Sequence, residues 1–251
     1  MTTHRVATRR LATQFVPELA ELAEPGDFER AYAHPAGHHL RVNFISSLDG
    51  AVEINGQSGP LGGPVDRAAF MAMRAVADVI MVGAGTVRAE SYGPVRLAED
   101  VQGRRRERGQ RPRPPLAVVT ARGDLEPGGR IFGPGADVLI LTTSQVAAER
   151  ADLAKVAEVI DCGDAHVDLG FAVAELRGRG LGRVLCEGGA ELMRSLMMVG
   201  LVDELCLTYS PVLAGPRHRS LAGPGPLPHL ERFRLATLIA GDDMVLTRYM
   251  R

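Results

Sequence analysis

The chain contains no tryptophan, and aromatic residues of all kinds make up 4% of it. That leaves little for a surface on which bases stack, so single-stranded nucleic acid is a poor partner. Cysteine is scarce too: Cys162, Cys186 and Cys206 are far apart and odd in number. No C-x-x-C pair or His/Cys cluster has metal-ligand spacing, so no metal site is expected. Cys186 and Cys206 sit inside apolar runs and read as unreactive core residues. Neither charge dominates, since 29 basic and 30 acidic residues give a net charge of −1. Electrostatics therefore offers no reason to expect nucleic acid or an anionic membrane. No apolar stretch approaches membrane-spanning length, and the opening residues MTTHRVATRRLATQF lack the apolar centre of a signal peptide. A cytoplasmic protein is expected.

What is present is 251 residues, 45% of them hydrophobic, enough for a substantial soluble core. The chain is organised around Arg183 to Leu196, RVLCEGGAELMRSL. Arg183 to Cys186 predicts a short buried strand, Glu187-Gly188-Gly189 a turn, and Ala190 onward a helix. A glycine pair lets backbone approach a ligand, and the helix behind it aims free N–H groups over the turn. That suits a phosphate or pyrophosphate, although an exposed strand-to-helix turn would look the same.

Other elements follow from periodicity. Leu11, Phe15, Leu19 and Leu22 suggest a short helix ending before Pro25, and HPAGHH (34–39) a loop. Leu40 to Ser47 predicts a strand, Ala51 to Ile54 a brief one, and Asp66 to Ala77 a helix. Asp78 to Val82 predicts a buried strand running into Gly83-Ala84-Gly85-Thr86. Glu99 to Pro115, with Arg104, Arg105, Arg106 and Arg108, reads as a solvated loop. Strands are expected at Leu116 to Thr120, Asp137 to Thr142 and Glu158 to Ile160. Helices are expected at Gln145 to Ala154 and Leu169 to Arg179. Beyond the central stretch come a strand at Glu204 to Ser210, a Pro/Gly-rich loop, and a hairpin turning at Gly241-Asp242-Asp243. Alternating strands and helices imply an α/β domain with a mostly parallel, mixed sheet covered on both faces. No linker divides it.

Ligands of open α/β sheets bind beyond the carboxyl ends of the strands. Three turns stand there: Ser46-Ser47-Leu48-Asp49-Gly50, Gly83-Ala84-Gly85-Thr86 and Glu187-Gly188-Gly189. A Rossmann fingerprint is excluded because Arg88 stands where the third glycine belongs, and no Gly-Lys-Ser/Thr forms a P-loop. A Ser-His-Asp hydrolase lacks its G-x-S-x-G elbow.

LRVNFISSLDG, then DVIMVGAGTVRAE (78–90), then RVLCEGGAELMRSL resemble the riboflavin-pathway pyrimidine reductases of the dihydrofolate-reductase-like fold. The resemblance covers residues 40–251 and leaves an N-terminal extension, 1–39. No H-x-E…P-C-x-x-C deaminase signature occurs, so a stand-alone reductase domain is expected. The resemblance implies NADPH as hydride donor. It implies 5-amino-6-(5-phosphoribosylamino)uracil, or the closely related diaminopyrimidine, as substrate, reduced to a ribitylamino product. It places Gly83, Gly85, Thr86 and Glu90 along the cofactor. Gly188 and Gly189, with Ala190, Glu191 and Leu192, hold the pyrophosphate, and Arg122 meets the 2′-phosphate. Ser58, Arg74, Arg96 and Glu187 fall at the substrate and its sugar phosphate, where two guanidiniums suit a dianion. Asp49 stands for a proton relay or substrate anchor, or else for an ordinary turn aspartate.

Three departures surround the substrate: Ala51 replaces the usual basic residue, Glu90 a common Asp, and Tyr92-Gly93-Pro94-Val95-Arg96 is a contracted loop. They keep a dihydrofolate or dihydropterin reductase open as a rival, alongside a non-catalytic NADP-binding module. Exposed sheet edges make a homodimer an expectation.

Overall fold

The computed structural model describes residues 7–10, 19–21, 25–215, 219–221, 223 and 230–251. Its strands are β1 (Ala7–Arg10), β2 (Leu19–Glu21), β3 (His39–Ser46), β4 (Val79–Gly83), β5 (Leu116–Val119), β6 (Val138–Thr142), β7 (Glu158–Asp161), β8 (Arg183–Cys186), β9 (Glu204–Tyr209), β10 (Arg234–Gly241) and β11 (Met244–Met250). Its helices are α1 (Pro25–Ala31), α2 (Pro64–Val76), α3 (Ala84–Ala89), α4 (Glu99–Glu107), α5 (Ser144–Glu149), α6 (Leu169–Gly178) and α7 (Ala190–Met198).

All strands join one sheet in the order β2-β1-β10-β11-β9-β3-β8-β4-β5-β6-β7. From β9 to β7 neighbours run parallel, and β11, β10, β1 and β2 add antiparallel pairs at one end. The mostly parallel mixed sheet with a C-terminal hairpin is as expected. Parallel strands must be covered on both faces, and β4 shows how its continuous apolar run serves both. Val79 and Met81 enter one core layer with α6 and α7, while Ile80 and Val82 enter the other with α1 and α2. Among the described residues no helix is long and apolar enough to cross a membrane.

Local chemistry explains several boundaries. Pro64 opens α2 at a position where its missing N–H costs nothing, and Asp66 and Arg74 sit at the dipole ends that favour them. Asp168 caps α6 by accepting from Phe171 N at 2.9 Å. At the β10–β11 turn Asp242 and Asp243 take φ of 52° and 61°, the left-handed pair whose twist suits a two-residue hairpin.

The structure corrects four expectations. Leu19 lies in β2, not in a helix, because the arm pairs through β1 with β10; Leu11, Phe15 and Leu22 lie outside the described residues. Ala51 to Ile54 forms only isolated bridges, Ala51 with Ser220 and Ile54 with Gln57. The helix expected to Ala154 ends at Glu149, where Arg150 turns to bond Asp152 and the Leu125 carbonyl, and a 3-10 turn follows at Leu153–Lys155. The basic run is no solvated loop: residues 99–107 form α4, and Arg105 is fully buried. Partners elsewhere in the chain account for this. Glu29, just inside α1, accepts from Arg104 and Arg108, each at 2.7 Å. Arg105 spans the end of α2, donating to the carbonyls of Arg74, Ala75 and Ala77.

Candidate active site

A cleft of about 1980 Å³ opens at the carboxyl ends of β3, β4, β5 and β8. A single small-ligand pocket rarely exceeds about 1,000 Å³, so this one has room for two ligands side by side. Three short stretches of backbone meet at its floor. Gly83 N donates to Gly188 O at 2.8 Å, joining the end of β4 to the turn after β8. The Gly188–Gly189 peptide is cis, and Gly188 adopts φ 92°, a conformation costly for any residue with a side chain. A Cβ on Gly188 would also stand 3.0 Å from Phe44 Cζ, and one on Gly189 2.8 Å from Thr86 Oγ1. Behind this pair α7 begins, so the N–H groups of its first turn, Ala190, Glu191 and Leu192, have no partners within the helix. Gly85 at the head of α3 is exposed, with nothing within 4 Å of where a Cβ would be. The result is a bare-backbone cradle with positive dipole, shaped for a pyrophosphate.

Opposite the cradle, α2 presents Asp66, Phe70 and Arg74 to the cleft at intervals of four. Arg74 is fixed by Glu187 through two bonds of 2.7 Å, Nε to Oε1 and Nη2 to Oε2. Tyr92 Oη donates to Glu187 Oε2, also at 2.7 Å. Phe70 covers the guanidinium, its ring centroid 4.2 Å from Arg74 Cζ. Burial works against the charge on Arg74, but Glu187 outweighs it and holds the pKa above the usual arginine range. Burial and the neighbouring Glu187 push the Tyr92 hydroxyl far up, so it stays a proton donor. The outcome is a rigid, charge-balanced wall.

Thirteen of the residues singled out in the sequence line this cleft: Ser58, Arg74, Gly83, Gly85, Thr86, Glu90, Arg96, Arg122, Glu187, Gly189, Ala190, Glu191 and Leu192. Glu90 also accepts from Ser58 N at 2.7 Å and so fixes that loop. Gly188 shapes the floor from beneath. Asp49 is not brought in. Its carboxylate accepts from Ala214 N, Gly215 N and Ser47 Oγ, and these three hold its pKa well below the ordinary aspartate value. Arg74 is not a free clamp either, because Glu187 occupies two of its nitrogens. Arg96 does have free donors, as does Arg130 beside the Tyr92 to Pro94 loop; neither has a partner among the described residues. Sequence reading missed Asp66, Phe70 and Arg130, and it named Tyr92 only as part of the contracted loop at the substrate. For Asp66, Phe70 and Arg74 the four-residue spacing on one helix was the available signal. For Arg130 there was none.

The RibD C-terminal domain family profile matches residues 38–246 of the chain. The 2,5-diamino-6-ribosylamino-4(3H)-pyrimidinone 5′-phosphate reductase of Archaeoglobus fulgidus is 32% identical over 71% of this chain and 83% of its own. The protein of that name from Methanothermobacter thermautotrophicus is 31% identical over 71% and 80%. A crystal structure of a pyrimidine reductase-like protein from Corynebacterium diphtheriae superposes with a TM-score of 0.80, at 27% identity, over 89% of this chain and 98% of that one.

Proposed function

Because the chain belongs to the RibD C-terminal domain family, we propose that it is an NADPH-dependent reductase of a 6-ribosylaminopyrimidine 5′-phosphate, yielding the ribitylamino product of riboflavin biosynthesis. The single observation that best supports this is the glycine cradle at the head of α7 facing the Glu187-Arg74-Tyr92 wall across one cleft. Gly189, Gly85 and the first turn of α7 fit a dinucleotide pyrophosphate, since side chains there would fill the space it needs. Arg122, at the end of β5 and unpaired among the described residues, is suited to the 2′-phosphate. When bound, NADPH supplies the hydride that C1′ of the opened ribosylamino group accepts.

The chain's own work is positioning and charge. Arg96 and Arg130 offer the directed donors that a terminal phosphate needs. Glu187 is saturated by three donors and keeps Arg74 Nη1 and the Phe70 ring in place beside the substrate. In this reading Asp49 anchors the 211–215 segment rather than relaying a proton, and residues 40–251 form the reductase domain, to which 1–39 add. We assign it to the cytoplasm as a homodimer. Leu48 and Leu213, 62% and 76% exposed and joined through Leu48 N to Val212 O, are an apolar pair suited to a second copy. Light scattering tests the dimer.

The deciding experiment follows NADPH oxidation with the ribosylaminopyrimidine phosphate and with dihydrofolate. Turnover of the first with ribitylamino product is expected. Turnover of dihydrofolate alone would replace the substrate, and turnover of neither would leave a binding module.

A further inference from the structure

Arg88, whose place in the sequence rules out a dinucleotide fingerprint, takes part in none of the steps above. It lies on α3 three residues beyond Gly85, so the two share a face of that helix, and both line the cleft. Its Nη1 crosses to the turn after β5, where it meets Asp124 Oδ2 at 2.6 Å and the Asp124 carbonyl at 2.9 Å. Thr120 Oγ1 donates to the other carboxylate oxygen at 2.9 Å, so Asp124 is fixed from two sides. Arg122 and Asp124 flank Gly123, at φ 62°, and line the same cleft. The side chains of Arg88 and Asp124 are 52% and 42% exposed. An ion pair that open adds little to stability, so the fold gives little reason for it.

Resting on the NADPH-dependent reductase reading, we propose that Arg88 covers the charge of Asp124 and thereby decides NADPH over NADH. A carboxylate beside an adenosine ribose accepts from a 2′-hydroxyl and repels a 2′-phosphate. Asp124, two residues beyond Arg122, sets such an acid at the end of the cleft suited to that phosphate. Paired with Arg88 it offers no net charge to the ligand, and Arg122 meets the dianion unopposed. Both contacts of Arg88 run through Nη1, so Nη2 and Nε add donors on the same side. Removing Arg88 uncovers the acid: a 2′-phosphate is then repelled, while a 2′-hydroxyl gains an acceptor. Selection rests on an acid held in check as well as on the basic residue beside it.

The test titrates the full chain with NADPH and with NADH by fluorescence, so no pyrimidine is needed. Wild type is expected to bind NADPH at least about tenfold more tightly than NADH. Arg88→Ala should weaken NADPH about tenfold and leave NADH unchanged or tighter. Asp124→Asn keeps an acceptor for Thr120; added to Arg88→Ala, it should recover at least about threefold of the lost NADPH affinity. Circular dichroism reports the fold, and Arg88→Gln replaces the Ala variant if that is not recovered folded. Equal losses on both dinucleotides would make the pair structural. That result, undiminished NADPH binding, no recovery in the double variant, or a wild type without preference overturns the Arg88 assignment alone. A wild type that binds neither dinucleotide overturns the reductase reading and this assignment with it.

Discussion

Gly189 has φ −71° and ψ −172°, a backbone open to any residue, so room and not conformation requires glycine there. Gly189→Asp therefore forces a side chain against Thr86 and sets a negative charge where pyrophosphate belongs. NADPH titrated by fluorescence should show no saturable binding while the circular dichroism spectrum is retained; wild-type affinity would refute the cradle. Arg122→Ala should raise KM for NADPH by about tenfold, as expected from losing a charge-assisted contact of roughly 1.5–3 kcal/mol, and leave NADH use nearly unaltered. Equal losses on both cofactors would make Arg122 structural. The cradle was legible because paired glycines between a strand and a helix mark a close approach of backbone. Asp66 was not, since acids in a first helical turn are common for reasons of the dipole alone.

At the scale of elements, the join between α2 and α4 is the instructive one. The last carbonyls of any helix lack intrahelical partners. Here Arg105 takes those of Arg74, Ala75 and Ala77, Arg108 takes Ala75 as well, and Gln110 takes Val76 and Ala77. Burial, reinforced by the like charge of Arg108, lowers the Arg105 pKa to about 10, still charged at neutral pH. Arg105→Met keeps the volume but orphans buried carbonyls, at about 1–3 kcal/mol for each one left unsatisfied. Urea unfolding should show a loss of roughly 3 kcal/mol, partly restored by Lys; a loss under about 0.5 kcal/mol would place the run back in solvent. A string of arginines reads as a solvated loop when sequence is the only guide, because the acceptors here are main-chain atoms of another helix. Strands β3, β4 and β8 and helices α2 and α7 were legible for the opposite reason. Their apolar periods and glycine boundaries are local.

For the whole molecule, one buried carboxylate ties three strands and a helix together. Glu204 on β9 meets His39 at 2.7 Å and Arg41 at 2.9 Å on β3, and Arg248 on β11 at 2.6 Å. Arg41 and Arg248 in turn donate to the Tyr32 and Ala31 carbonyls at the end of α1. Burial opposes the charge on Glu204, but His39 and the two arginines win and hold its pKa well below the ordinary 4.5. A folded pKa below the unfolded one adds stability that is present above about pH 4.5 and lost as pH falls. Glu204→Gln leaves two arginines without their buried counter-charge and should cost about 3–5 kcal/mol at neutral pH. Between pH 7 and about pH 4 its urea midpoint should fall less than that of the wild type; parallel pH profiles would mean the network does not titrate. None of this was visible beforehand, because strand order decides which charges share the interior.

That order also sets a schedule for synthesis. β1 reaches the sheet through β10, and the β10–β11 turn reaches α2, where Asp242 accepts from Val65 N at 3.1 Å. During synthesis β1 must therefore wait for its partner in the sheet, β10, which is made more than two hundred residues later. The parallel centre and the glycine cradle need only residues up to 209, so they can assemble while the chain is still tethered. Closure of that end of the sheet, and the bond steadying the first turn of α2, must wait until β10, β11 and the turn between them have been made.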